Sequence, residues 1–154
     1  MSTGWCGVFV SYRRTLRCPT MPAPAEPYRI LVVDDDRSFL AMVASTLPSH
    51  RGDVQVATAR SGKECLRQVE RFAPHLILLD IGMDGMNGPV TCRFIRSVDA
   101  AVRIVFLSGH DESYIRDAAG MVQADGYFTK TAFIEMLGEH EALERFLDGA
   151  RRPR

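Results

Sequence analysis

Strands that alternate with helices over most of the chain predict an α/β protein built on a doubly wound parallel sheet. Three observations carry this. Short, continuous apolar runs recur at residues 30–33, 76–79 and 104–107, as strands buried on both faces require. Between them, apolar residues repeat at helical spacing. The runs also end in polar groups: Asp34-Asp35-Asp36 after the first, Asp80 after the second and Ser108 after the third. A further run, Gly126-Tyr127-Phe128, leads through Thr129 to Lys130. In a parallel sheet, strand C-termini converge on one edge, and that edge carries the chemistry.

The elements follow in order. Residues 30–33 form the first strand, and a helix over 38–47 puts Phe39, Met42, Val43 and Leu47 on one face and stops at Pro48. Asp36 reads as its N-cap. A second strand covers 54–57, and a helix over 62–72 buries Cys65, Leu66, Val69 and Phe72. The third strand, 76–79, is followed by a helix over 89–97 with Pro89 suited to its first turn. A fourth strand at 103–107, a short helix at 112–119 and a fifth strand around 127–128 come next. One last helix, 132–147, presents Phe133, Met136, Leu137, Leu143 and Leu147. Five β–α units imply helices on both faces of the sheet.

Residues 1–27 read as an extended or disordered tail. They hold four of the eight prolines, the single tryptophan Trp5, and Arg13, Arg14 and Arg17. Residues 22–27 resemble a linker, and Met21 opens it, which leaves the first twenty residues open to being an upstream extension. Residues 28–148 form one domain, and 149–154 a solvated basic tail carrying Arg151, Arg152 and Arg154.

The 154 residues suffice for one domain with a real core. Lys plus Arg and Asp plus Glu number 19 each, so the charge balances and there is no basic footprint for nucleic acid. No apolar stretch approaches the roughly 20 residues of a membrane span. Cys6, Cys18, Cys65 and Cys92 lack metal-ligand spacing, and His50, His75, His110 and His140 are scattered. Free thiols in a reducing compartment are the expectation.

Asp34, Asp35 and Asp80 bring three carboxylates to one sheet edge, where like charges repel unless a cation compensates. Mg²⁺ suits such a site, since it prefers oxygen ligands. A carboxylate not fully used by the metal can attack phosphorus. Asp80 is the best nucleophile, while Ser108 can hydrogen-bond a phosphoryl oxygen and Lys130 supplies a point charge to the same group.

Ile-Leu-Val-Val-Asp-Asp-Asp at 30–36, Leu-Ile-Leu-Leu-Asp at 76–80, Met-Asn-Gly at 86–88, Leu-Ser-Gly at 107–109 and Ala-Asp-Gly-Tyr-Phe-Thr-Lys at 124–130 together resemble a bacterial two-component response-regulator receiver domain. The resemblance implies a flavodoxin-like (βα)5 fold with strand order 2-1-3-4-5. Asp80 then matches the phosphoacceptor. Asp34 and Asp35 match the acidic pair that positions Mg²⁺, with Asp35 the more direct ligand and the backbone carbonyl of Gly82 completing the protein's set. Ser108 matches the switch hydroxyl, Lys130 the family lysine, and Tyr127 the aromatic that follows phosphorylation. Such a domain catalyses its own phosphorylation from a histidine kinase or phosphotransfer protein, and then its own dephosphorylation, without turning over an external substrate.

The family's usual prolines are replaced by Asp84 and Thr131. A non-proline cis bond costs about 2.5–4 kcal/mol, so Lys130-Thr131 is expected trans, with a shifted Lys130 or a looser loop before the last helix. Asp84 adds negative charge near the site. Gly82 and His110 stand two residues beyond Asp80 and Ser108, where receivers tune phosphate lifetime, and glycine there implies a short-lived phosphoryl group.

The expectation is a stand-alone, single-domain cytoplasmic regulator that signals to a downstream protein through the face of the fourth and fifth helices, which also offers a homodimer surface. DNA and membrane are excluded as partners. Two alternatives compete. One is a phosphorylation-independent pseudo-receiver, supported by Asp84 and Thr131. The other is a haloacid-dehalogenase-type phosphatase, with Asp34 as nucleophile and Asp36 as acid.

Overall fold

The computed structural model describes residues 26–151. Expectations about the N-terminal tail, including Trp5, Cys6, Cys18 and most of the linker, and about Arg152 to Arg154 lie outside the described residues. Eleven elements follow in order among the described residues: β1 Tyr28–Val33, α1 Arg37–His50, β2 Val54–Ala59, α2 Gly62–Phe72, β3 Leu76–Asp80, α3 Gly88–Val98, β4 Arg103–Ser108, α4 Glu112–Val122, β5 Gly126–Thr129, α5 Lys130–Gly138 and α6 His140–Arg151. The strands make one sheet in the order β2-β1-β3-β4-β5, and every pairing is parallel.

The sheet divides the core in two. On one side Leu31, Ile77, Leu79, Ile104 and Phe106 pack with Cys65, Cys92, Ile95 and Ile115 from α2, α3 and α4. On the other, Ile30, Val32, Leu76, Leu78 and Leu107 meet Val43, Leu47, Phe133, Leu143 and Leu147 from α1, α5 and α6. Successive strand residues point to opposite faces, so a strand buried on both sides is apolar on both faces, as β3 is from Leu76 to Leu79 before it ends in the buried Asp80. Burial pushes the Cys65 thiol up to about 12, with Cys92 adding to the shift. Both cysteines are free and act as small apolar residues.

Most boundaries move by a few residues, and three differences from expectation have a structural reason. Helix α1 runs through Pro48 to His50, because a proline in the last turn removes one donor while the helix still closes with the Arg51 N–H on the Leu47 carbonyl. The single last helix is two: Glu139 takes an extended conformation (φ −110°, ψ 102°) after Gly138 and separates α5 from α6. Finally, α6 continues to Arg151, whose guanidinium bonds Asp53 at 2.9 Å and lies 4.6 Å from the Tyr28 ring centre. Arg151 is therefore part of the packed helix end.

Candidate functional site

The strand register builds the site. Val33 pairs with Leu79, Asp80 with Leu107, and Ser108 with Thr129. Asp34, Asp80, Ser108 and Lys130 thus arrive side by side at the C-terminal edge. The Asp34 N–H donates to the Ala59 carbonyl, which extends the β1–β2 ladder by one step. Its Oδ1 accepts from the Asp36 N–H at 2.9 Å and closes the turn into α1. Asp36 caps that helix, accepting from Ser38 N–H at 2.8 Å and Phe39 N–H at 3.3 Å. Its Oδ1 serves the helix end, and Asp36 is not among the carboxylates gathered with Asp34, which gives the phosphatase alternative no support.

Asp34, Asp35 and Asp80 each offer an oxygen, and these lie within 4.8 Å of one another. Asp34 and Asp80 are buried and Asp35 is exposed, so the cluster opens to solvent on one side. Lys130 Nζ stands 2.7 Å from Asp34 Oδ2 and 3.7 Å from Asp80 Oδ2. Apart from that ion pair, the buried Asp34 Oδ2 has no hydrogen-bond donor. The ammonium also sits 5.0 Å from the Phe39 ring centre, a cation–π contact that sequence spacing did not reveal. Burial raises the Asp80 carboxyl above its ordinary value, and Asp34 raises it further, against the opposing pull of Lys130 and the Gly82 N–H. Burial works against the Lys130 charge, but Asp34 and Asp80 outweigh it and leave its pKa raised. An all-oxygen set with surplus negative charge fits a hard divalent cation.

Ser108 is wholly buried, and its Oγ accepts the His110 N–H at 3.0 Å. The His110 ring leans over Gly82, since a Cβ placed there would lie 3.8 Å from Nε2 and 3.9 Å from Asp80 Oδ2. Tyr127 is half-buried against the core on the α4 side. Asp84 is exposed and stays outside the carboxylate cluster. The Lys130-Thr131 bond is trans, as expected. The looser loop is not found: Thr129 ends β5 and caps α5, its hydroxyl accepting the Ala132 N–H at 3.1 Å. Lys130 is therefore fixed at a direct strand-to-helix junction.

Gly88 is a position whose need the sequence did not disclose. A Cβ there would stand 2.6 Å from the Asp80 carbonyl oxygen and 2.8 Å from the Ile81 Cα, so only glycine lets α3 start against the end of β3.

The family model described as the response regulator receiver domain matches residues 30–140. Response regulator MprA of Mycolicibacterium vanbaalenii is 33% identical over 120 residues, which is 77% of this chain and 51% of that protein. The DNA-binding response regulator MtrA of Mycobacterium leprae is 39% identical over 85 residues, 55% of this chain and 36% of that protein. Among solved structures, the chemotaxis protein CheY4 of Vibrio cholerae superposes with a TM-score of 0.67 at 25% identity, covering 80% of this chain and 98% of that one. The chain thus spans about half or less of the length of these curated relatives. The expectation that excluded DNA is corrected here, because a relative named as DNA-binding shares this domain and charge balance in the receiver does not report on the rest of such a protein. No described helix is long and apolar enough to cross a membrane.

Proposed function

The chain belongs to the response-regulator receiver family of two-component signalling, and on that premise we propose that it is a phosphorylation-activated switch whose phosphoacceptor is Asp80. The observation that supports this best is the imbalance of charge, three gathered carboxylates against, among the described residues, the single ammonium of Lys130. Asp35, Asp80 and the Gly82 carbonyl would hold Mg²⁺, with Asp34 acting partly through water. Bound there, the ion supplies positive charge to the phosphoryl oxygens.

An Asp80 oxygen attacks phosphorus and forms a P–O bond as the donor's P–N bond breaks. The electron pair leaves on the donor histidine, which takes up a proton. Lys130 exchanges part of its pairing with Asp34 for a phosphoryl oxygen, and Ser108 donates its hydroxyl proton to another. Tyr127 follows Ser108 toward the interior. Water later attacks the same phosphorus, releasing inorganic phosphate and restoring the carboxylate. The protein acts in the cytoplasm, and control of DNA binding stands beside protein contact as its output.

The test is intact mass after incubation with acetyl phosphate and Mg²⁺. A phosphoryl adduct forms on the wild type and is lost in Asp80→Asn and after chelation of the metal. An adduct that persists in Asp80→Asn would refute the site.

A further inference from the structure

Phe39 is buried in the core, with its ring centre 6.5 Å from that of Phe133. Packing there asks only for apolar bulk. Its other neighbour asks for more. Lys130 Nζ sits 5.0 Å from the Phe39 ring centre, within the range where the negative face of an aromatic ring attracts a cation. The ammonium carries three N–H donors. Asp34 Oδ2 accepts from it at 2.7 Å, while Asp80 Oδ2, at 3.7 Å, stands beyond hydrogen-bond reach.

The turn between β1 and α1 fixes the ring in that place. Asp34 Oδ1 accepts the Asp36 N–H at 2.9 Å, and Asp36 Oδ1 accepts the N–H of Phe39 itself at 3.3 Å. The Phe39 ring then meets Lys130, and Lys130 returns to Asp34 Oδ2. Four residues thus close a ring of contacts, with the two oxygens of Asp34 serving its two sides. Asp36, which stands outside the carboxylate cluster, acquires a part here: it caps the helix turn that carries Phe39.

We propose that Phe39 is a positioning residue for Lys130, holding the ammonium at the site while it exchanges Asp34 for a phosphoryl oxygen on Asp80. The junction of β5 and α5 fixes the Lys130 backbone, but its long stem is flexible and its charge can settle on either carboxylate. The hydrogen bond to Asp34 is directional and must be given up in part for the exchange. Attraction to a ring face uses no single N–H, so it persists as the ammonium turns from one acceptor to the other. Leucine at position 39 would supply bulk without that face, and the ammonium would rest on Asp34 and reach the phosphoryl group less often. The inference rests on the function proposed above.

The rate of adduct formation with acetyl phosphate and saturating Mg²⁺, followed by intact mass, tests it. Phe39→Leu slows the reaction about fivefold or more, while Mg²⁺ affinity by calorimetry, set by oxygen ligands, stays within about twofold of the wild type. Successively fluorinated phenylalanines at position 39 weaken the ring face with little change of shape, and the rate falls stepwise along the series. In a Lys130→Met background, Phe39→Leu causes no further loss, because the two residues act through one contact. An unchanged rate in Phe39→Leu, a rate indifferent to fluorination, or the same loss with and without Lys130 would each overturn the inference and leave Phe39 as packing alone. Those outcomes leave the wild-type adduct in place. Absence of that adduct would instead overturn the phosphorylation reading, and the inference with it.

Discussion

The two edges of the sheet treat charge in opposite ways. At the C-terminal edge, Asp34 and Asp80 are buried with Asp35 close by, and among the described residues Lys130 is the one cation paired with them. Toward the opposite end, three acids share guanidinium partners: Arg51 bonds Asp53, Glu144 and Asp148 at 3.2, 3.0 and 2.7 Å, and Arg151 bonds Asp53. The pKa directions follow. The bond to Arg151, ahead of the other contributions, lowers the Asp53 carboxyl, whereas burial and then Asp34 raise the Asp80 carboxyl. One edge stabilises the ionised acid and the other strains it. Unbalanced buried charge concentrates at sites where a ligand balances it, and here it falls on Asp34 and Asp80.

The largest test of this contrast is Lys130→Met. It leaves the fully buried Asp34 without its counter-charge, so unfolding in urea with a chelator present should show a loss of about 3 kcal/mol. Saturating Mg²⁺ should recover most of it. Unchanged stability in the metal-free protein would break the contrast.

Asp80→Asn should act in the other direction. The folded state raises the Asp80 carboxyl, so the fold binds that proton more tightly than the unfolded chain does. The ionised form therefore costs stability. That cost is absent below the ordinary carboxylate value and grows as pH rises toward and through the folded value. At neutral pH without metal, Asp80→Asn should melt roughly 2–4 °C above the wild type, and the gap should close in acid. Mg²⁺ should raise the wild type more than the variant. Lys130 has the complementary dependence: its raised pKa stabilises the fold below the ordinary lysine value, and that contribution is lost as pH rises through the folded one.

A kinetic effect comes next in size. Gly82 puts no side chain of its own beside Asp80, and a Cβ there would meet only ordinary contacts near His110 Nε2 and Asp80 Oδ2. Gly82→Asn and Gly82→Arg should therefore fold normally and slow loss of the phosphoryl group several-fold, on the order of 1 kcal/mol in barrier. A time course of dephosphorylation in which neither variant is slower would remove the proposed short lifetime.

Much of this was legible because burial on both faces forces unbroken apolar runs, and the runs end at the edge where polar residues stand. Asp34, Asp80, Ser108 and Lys130 were readable for that reason, and the strand order followed from the resemblance. The split at Glu139 was not readable, since Phe133, Leu137, Leu143 and Leu147 face one core on both sides of the break and preserve helical spacing across it. Pro48 misled because a proline removes only its own N–H from the ladder, and the helix still closes beyond it through the Arg51 N–H on the Leu47 carbonyl. The junction at Thr129 was hidden for another reason: a hydroxyl that caps a helix looks the same in sequence as one that ends a strand. Gly88 depends on the distance between two backbones, which no local pattern encodes.

The smallest effect lies at the paired edge, and salt separates it from the site. Arg51→Ala removes three partly exposed ion pairs, which together should contribute no more than about 1 kcal/mol at low ionic strength. In 1 M NaCl the screening length falls to about 3 Å, so most of that difference should disappear from the urea midpoint. The Asp34–Lys130 pair, with its carboxylate wholly buried, should keep its contribution in the same salt. If both edges responded alike, burial would not be what distinguishes them, and the surplus negative charge at Asp80 would be an ordinary surface feature.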